Sequence, residues 1–148
     1  MAACLGLMLA ALPALSAPAA DDPEVSRPVF DLLPSPNQLA MVQKYAGNLM
    51  ARAEKAHFPA QPQVAMAGST TLISLESVAI CDRASGCPLL VFRDMTKPPV
   101  LVTSSYQNVM IVYRADKTVL ILKSSGPDRE CLLPLFGKAK CKPVARPK

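Results

Sequence analysis

Residues 64–144 alternate short apolar, β-branched runs with turn signals, which is the pattern of antiparallel strands. Residues 64–66 and 70–73 flank Ala67, Gly68 and Ser69, a hairpin signal. The second of these strands is expected to run on to Ile80. Its apolar positions change phase on the way, Ile73 and Leu75 being odd but Val78 and Ile80 even, and a bulge at Glu76 and Ser77 would reconcile them. Further strands are expected at 89–93, 100–104, 108–114 and 118–123, each bounded by polar or proline-containing turns. Stretches 109–113 and 119–122 have no polar residue on either face, so both should be central strands covered on two sides.

The last segment, CLLPLFGKAKC at 131–141, reads as a hairpin with Leu135, Phe136 and Gly137 in the loop and Gly in the left-handed position. Pairs then fall at 133–139, 132–140 and 131–141, which places Cys131 opposite Cys141.

Before the strands lies one helical pattern. Ser35, Pro36 and Gln38 form a start signal: Ser caps, Pro needs no donor at the first position, and Gln can reach back to the cap. The helix should run from 36 to about 57, with Leu39, Val42, Ala46, Leu49, Ala53 and Ala56 as its apolar stripe. Gly47 weakens its middle by about 1 kcal/mol relative to Ala. One helix covers one sheet face, so the sheet should curl on itself or pair with a second copy of the chain. The expected architecture is α+β: one N-terminal amphipathic helix on a curled antiparallel meander of roughly six to eight strands.

Residues 1–20 have a different character, an apolar run closed by small residues and proline, as in a secretory signal peptide. Cleavage after Ala19 fits the small-x-small rule. No Lys or Arg precedes the run, so either the true start lies further upstream or the signal is atypical. The expected organisation is a leader peptide at 1–19, a flexible arm at 20–34 whose 29–33 portion can dock as one helical turn, a single domain at 35–144 and a basic tail at 145–148. No transmembrane anchor is expected after cleavage.

Four cysteines remain beyond the leader: Cys81, Cys87, Cys131 and Cys141. An even number in an exported chain implies disulfides, with three connectivities. The hairpin register favours Cys131–Cys141 and leaves Cys81–Cys87; a pair of long-range bridges is the alternative. Local loops of these sizes contribute about 2–3 kcal/mol each in the chain-entropy model. The net charge of +5 lies entirely beyond the leader. With no Trp and few aromatics, it does not point to nucleic acid.

Candidate chemistry is sparse. His57, the one histidine, falls at the helix end, where a cation suits the dipole, and it has no partner for a triad or a metal. Asp82, Asp94, Asp116 and Asp128 all fall in turns, where Asp bonds locally. No phosphate loop, calcium loop or Cys-x-x-Cys motif is present, so no enzyme, cofactor or metal site is expected. The Cys81–Cys87 loop is the candidate binding element, presenting Asp82, Arg83 and Ser85. Its plainer role is to fix a turn between strands.

The order of Phe30 to Leu33, a following helix, a hairpin at Gly68 and a short two-cysteine loop resembles the Ivy-type periplasmic inhibitors of lysozyme. In that family a loop of the type Cys-Lys-Pro-His-Asp-Cys enters the lysozyme cleft, where its histidine meets the catalytic acids. Here the loop is one residue longer and has no histidine, and Arg83 is the group that could meet carboxylates. The resemblance implies an inhibitor-like role through this loop. The expectation is therefore a periplasmic or secreted, non-enzymatic, disulfide-stabilised protein with a protein partner in the cell envelope. The alternative is an envelope structural or assembly factor that self-associates through its sheet as a homodimer.

Overall fold

The computed structural model describes residues 23–145 of the 148. The leader peptide at 1–19, the first residues of the arm (20–22) and residues 146–148 of the tail lie outside the described residues. The order of elements is β1 (Glu24–Ser26), α1 (Pro36–Lys55), β2 (Gln61–Ala67), β3 (Thr70–Glu76), β4 (Cys87–Phe92), β5 (Leu101–Ser105), β6 (Met110–Tyr113), β7 (Thr118–Leu122), β8 (Asp128–Leu133) and β9 (Lys140–Val144). This is α+β, as expected. In place of one curled meander there are two antiparallel sheets, β2-β3-β4-β5 and β1-β6-β7-β8-β9. They hold nine strands among the described residues, against the six to eight expected.

Strand pleat explains the layering, because successive residues point to opposite faces. Val64, Ile73, Leu75, Leu90 and Phe92 form one face of the four-stranded sheet and pack with Val42, Ala46 and Ala53 of α1. Ala65, Leu72, Leu89 and Val91 form the other face and pack with Ile111, Leu120, Leu122 and Cys131 of the second sheet. The strands covered on both sides are thus β3 and β4. The expectation had placed this role on β6 and β7, which are central in their own sheet. On its outer face, Val25, Val112, Val119, Leu132 and Lys140 make one cross-strand row. Val112 and Val119 are buried within it, and Val25 and Leu132 are exposed.

The helix starts as its sequence dictates. Ser35 Oγ accepts from Gln38 N at 3.3 Å, and Ser35 N donates to Gln38 Oε1 at 2.8 Å. The apolar stripe is only partly used: Val42, Ala46 and Ala53 are buried, whereas Leu39 and Ala56 are exposed. Ala46 leaves helical geometry (φ −139°, ψ 19°) beside Gly47. The break divides the stripe, and Met41, Tyr45 and Met50 pack against the sheet as well. At the other end Phe58 N bonds Ala53 O at 3.1 Å and His57 N bonds Glu54 O at 2.9 Å, a Schellman closure. His57 takes the left-handed position that glycine usually fills, at φ 62°.

Two local expectations are corrected. Residues 76–80 hold no bulge: the chain leaves the sheet at Ser77, whose carbonyl accepts from Ile80 N and Cys81 N in a tight turn. The phase change marks a strand end. The first half of the arm, in turn, includes strand β1, paired with β6. Residues 29–33 form no helical turn; Leu32 makes a two-way backbone bridge to Val64 at 3.1 and 2.9 Å, with Phe30 packed on the core.

Both disulfides are local, Cys81–Cys87 and Cys131–Cys141. The second joins directly opposed residues of β8 and β9, with Leu132 against Lys140, in the register expected of the hairpin. Among the described residues no helix is long and apolar enough to cross a membrane, which says nothing of a β-barrel.

Phe92 is fully buried between α1 and the sheet, with Tyr45 edge-on at 6.5 Å between ring centroids. Phe92→Ala should destabilise the fold by about 3–5 kcal/mol. Urea denaturation measures this directly, and a loss under 1 kcal/mol would contradict the helix-on-sheet core.

Candidate functional site

The Cys81–Cys87 loop bridges the turn after β3 and the first residue of β4. Inside the disulfide the backbone closes a second ring. Asp82 N bonds Gly86 O at 2.9 Å and Gly86 N returns to Asp82 O at 2.8 Å. Within that ring Asp82 Oδ1 accepts from Ala84 N at 2.7 Å, Ser85 N at 3.0 Å and Ser85 Oγ at 3.3 Å. Hydrogen bonds to the charged form favour it. The Ala84 and Ser85 amides accordingly hold the Asp82 carboxyl below its ordinary value.

Other elements fasten the loop from outside. The Tyr106 hydroxyl donates to Arg83 O. Ser125 donates to Ala84 O twice, from N at 2.9 Å and from Oγ at 3.0 Å. Gly86 lies flat against the end of β5: at φ 86°, a Cβ there would sit 2.2 Å from Ser105 O. No other residue type fits this approach. Ser105 marks the point where the chain passes from one sheet to the other. Its hydroxyl donates to Lys123 O at 3.2 Å and accepts from Lys123 N at 3.2 Å, stitching the end of β5 to the end of β7.

All three candidate binding residues are therefore brought together, but into different roles. The Asp82 and Ser85 side chains bond within the loop. Arg83 is exposed, its carbonyl is tied to Tyr106, and among the described residues its guanidinium has no hydrogen bond or ion pair. Beside the loop an open concavity of about 600 Å³ runs towards residues 124–126. Hydroxyl groups dominate it: Ser85, Thr103, Ser104, Ser124 and Ser125, with Arg129 at one side. Arg129 Nη1 donates to Thr103 Oγ1 at 3.0 Å and Nη2 donates to Ser104 O, which holds the guanidinium across the gap between β8 and β5. Apart from Ser85, these groove residues were missing from the sequence-based candidates. The groove draws on four separated segments, and no spacing motif links them.

Glu76 closes the back of the loop. Its carboxylate accepts from Gln107 Nε2 at 3.0 Å and lies 3.0 Å from Cys87 Sγ. That last approach is a contact only, since a disulfide sulfur carries no proton. Glu76, Cys81 and Cys87 are the one cluster of three metal-type donors among the described residues. With the sulfurs bonded to each other they supply no thiolate to an ion. The other acids expected in turns go separate ways: Asp94 accepts from Thr96 N and Oγ1 at 2.8 and 2.7 Å, whereas Asp128 is the first residue of β8 and pairs with Lys123. Asp116 lies in the turn between β6 and β7.

Comparison with protein-family models, with curated proteins and with solved structures finds no match to this chain. The lysozyme-inhibitor resemblance accordingly rests on layout and on the loop alone.

Gly86→Ala should destabilise the protein by about 2–3 kcal/mol through left-handed strain and overlap with the Ser105 backbone. Thermal denaturation checks it; a melting temperature within 1 °C of the parent would refute the close approach. A pH effect has a definite sign. Asp82 is depressed below its ordinary 3.8 in the folded state. The order it confers on the loop is present above that value and lost as pH falls through the folded one. Amide exchange should therefore show Ala84 and Ser85 keeping protection down to pH 3.8 and losing it only as pH falls further, while core amides of β3 keep theirs.

Proposed function

We propose that this is an exported, non-enzymatic binding protein, periplasmic or secreted, that presents Arg83 from the Cys81–Cys87 loop to a protein partner in the cell envelope. The observation that carries the reading is the division of labour inside the loop. A disulfide, a two-way backbone bridge and the bonds from Tyr106 and Ser125 hold it rigid. One long cationic side chain is left projecting from it. Rigidity of this kind lowers the entropy lost on binding. On this reading Arg83 is the contact, and Asp82 and Ser85 are positioning residues.

The chemistry of Arg83 narrows the partner. A guanidinium forms bidentate bonds with carboxylates, so a cleft containing acids is the matching surface. A glycan-cleaving hydrolase with paired catalytic carboxylates has such a cleft, which is where the inhibitor-like reading leads. Two local disulfides and the apolar leader support an oxidising compartment.

A second reading has one observation in its favour. On the outer face of the five-stranded sheet Val25 and Leu132 are exposed on either side of the buried Val112 and Val119, and a second copy could cover them, making an envelope assembly factor that works as a homodimer. A strictly monomeric protein in sedimentation would remove it.

Arg83→Ala should abolish partner binding, by tenfold or more, with the melting temperature unchanged. The checks are retention of envelope proteins on immobilised protein with intact disulfides and inhibition of lysozyme activity in parallel. Unchanged retention by the variant would end the loop's role. Retention that depends on Arg83 without lysozyme inhibition would redirect the search to another acidic partner.

A further inference from the structure

A second surface lies at the opposite end of the molecule, on the tip of the β8–β9 hairpin. Strand β4 begins in the loop at Cys87 and ends beside Arg93, and β8 runs from the groove at Asp128 to the tip at Leu133. Six strand residues put about 17 Å between the two ends. At the tip Leu135 is 67% and Phe136 70% exposed. Phe136 is the most exposed aromatic residue among the large apolar side chains at the surface, and Lys97 Nζ sits over its ring at 4.3 Å. The turn is held open by Gly137 at φ 86°.

The tip stands between two concavities. One, of about 460 Å³, is lined by Arg93, Arg114, Lys117 and Leu132 among others. The other, of about 260 Å³, is lined by Arg93, Lys97, Lys138 and Phe136 among others. Together they carry five cations against two acids, Asp94 and Asp116. Asp94 is already engaged by Thr96. Arg93 lines both sides of the tip, and its Nε is buried without a hydrogen-bond partner. Its Nη1 reaches only Thr70 Oγ1, at the long distance of 3.5 Å. The Arg93 charge thus borders both hollows, while its Nε is closed off from them.

We infer that the β8–β9 tip docks on an anionic phospholipid surface. Leu135 and Phe136 enter the headgroup–acyl boundary, while Arg93, Arg114 and Lys117 on one flank and Lys97 and Lys138 on the other bind headgroup phosphates. A protruding pair of large apolar side chains ringed by cations is the composition of an interfacial anchor. The same pair is too small to be the core of a stable protein interface, which buries upwards of about 1,000 Å². Free phosphate would satisfy the cations and leave the apolar tip without a role. Docked in this way, the protein holds the Cys81–Cys87 loop on the side away from the bilayer, open to a partner.

The chain contains no tryptophan, so Phe136→Trp in the full chain places a single reporter at the tip. With vesicles of phosphatidylcholine containing about 30% phosphatidylglycerol, its emission should shift to shorter wavelength and be quenched by brominated acyl chains. Pure phosphatidylcholine vesicles should give neither effect. High salt should reverse the shift, because screening weakens the headgroup contacts. An Arg114→Gln, Lys117→Gln double variant should partition about tenfold more weakly at an unchanged melting temperature. Absence of a shift on anionic vesicles, or an equal shift on neutral ones, would overturn the proposal. So would anionic binding by the natural chain that Leu135→Ser with Phe136→Ser leaves unaltered, since that is adsorption by charge alone.

Discussion

Strands β3 and β4 have no side that tolerates water, and the rest of the architecture answers that constraint. Leu72, Ile73, Leu75, Leu89, Leu90, Val91 and Phe92 are all within 2% of complete burial. Adjacent strand residues point to opposite faces, so a continuous apolar run needs two covers. Helix α1 supplies one and the five-stranded sheet supplies the other. One helix over one uncurled sheet leaves a face bare. This chain covers that face by leaving the first sheet after β5 and starting a second.

That departure is what builds the candidate site. Where β5 ends, Ser105 ties its terminus to Lys123 at the end of β7, and the backbone of Ser105 and Tyr106 forms the floor on which Gly86 rests. The loop between β3 and β4 therefore touches both sheets at their crossing. Tyr106 comes from the crossover itself, and Ser125 from the turn between β7 and β8. A disulfide alone would close the loop yet leave it free to pivot. The bonds from Tyr106 and Ser125 fix its orientation to the body of the protein.

The parts of this structure legible in the sequence are those determined over short distances. The capping box at Ser35 and Gln38, the hairpin at Gly68 and the register that opposes Cys131 to Cys141 are each decided within a dozen residues. Strand periodicity was also a sound guide to β4 and β7. It failed at Ser77, because a strand leaving its sheet and a bulge within a sheet make the same change of phase; only the turn bonds to the Ser77 carbonyl distinguish them. The assignment of doubly covered strands to β6 and β7 failed for a related reason. An apolar run states that cover is needed, not which layer provides it. At the site, the Cys81–Cys87 loop was visible as a local pair of cysteines, whereas the groove beside it draws on Thr103, Ser125 and Arg129, which only the tertiary fold brings near.

The antiparallel order also separates two kinds of surface. Each strand that starts near the loop ends near the β8–β9 tip, so β4 and β8 act as rigid spacers between a polar, hydroxyl-lined end and an apolar, cation-ringed end. Each end carries its own disulfide-bonded element, the Cys81–Cys87 loop at one and the Cys131–Cys141 hairpin at the other. Both bridges close short stretches of chain and do not join the two ends, so they contribute little to overall topology. What they restrain is the local shape of the two elements that protrude. The apolar core already defines how the layers stack; Cys131 belongs to it and anchors the β8–β9 hairpin there, whereas the Cys81–Cys87 bridge closes a loop at its edge.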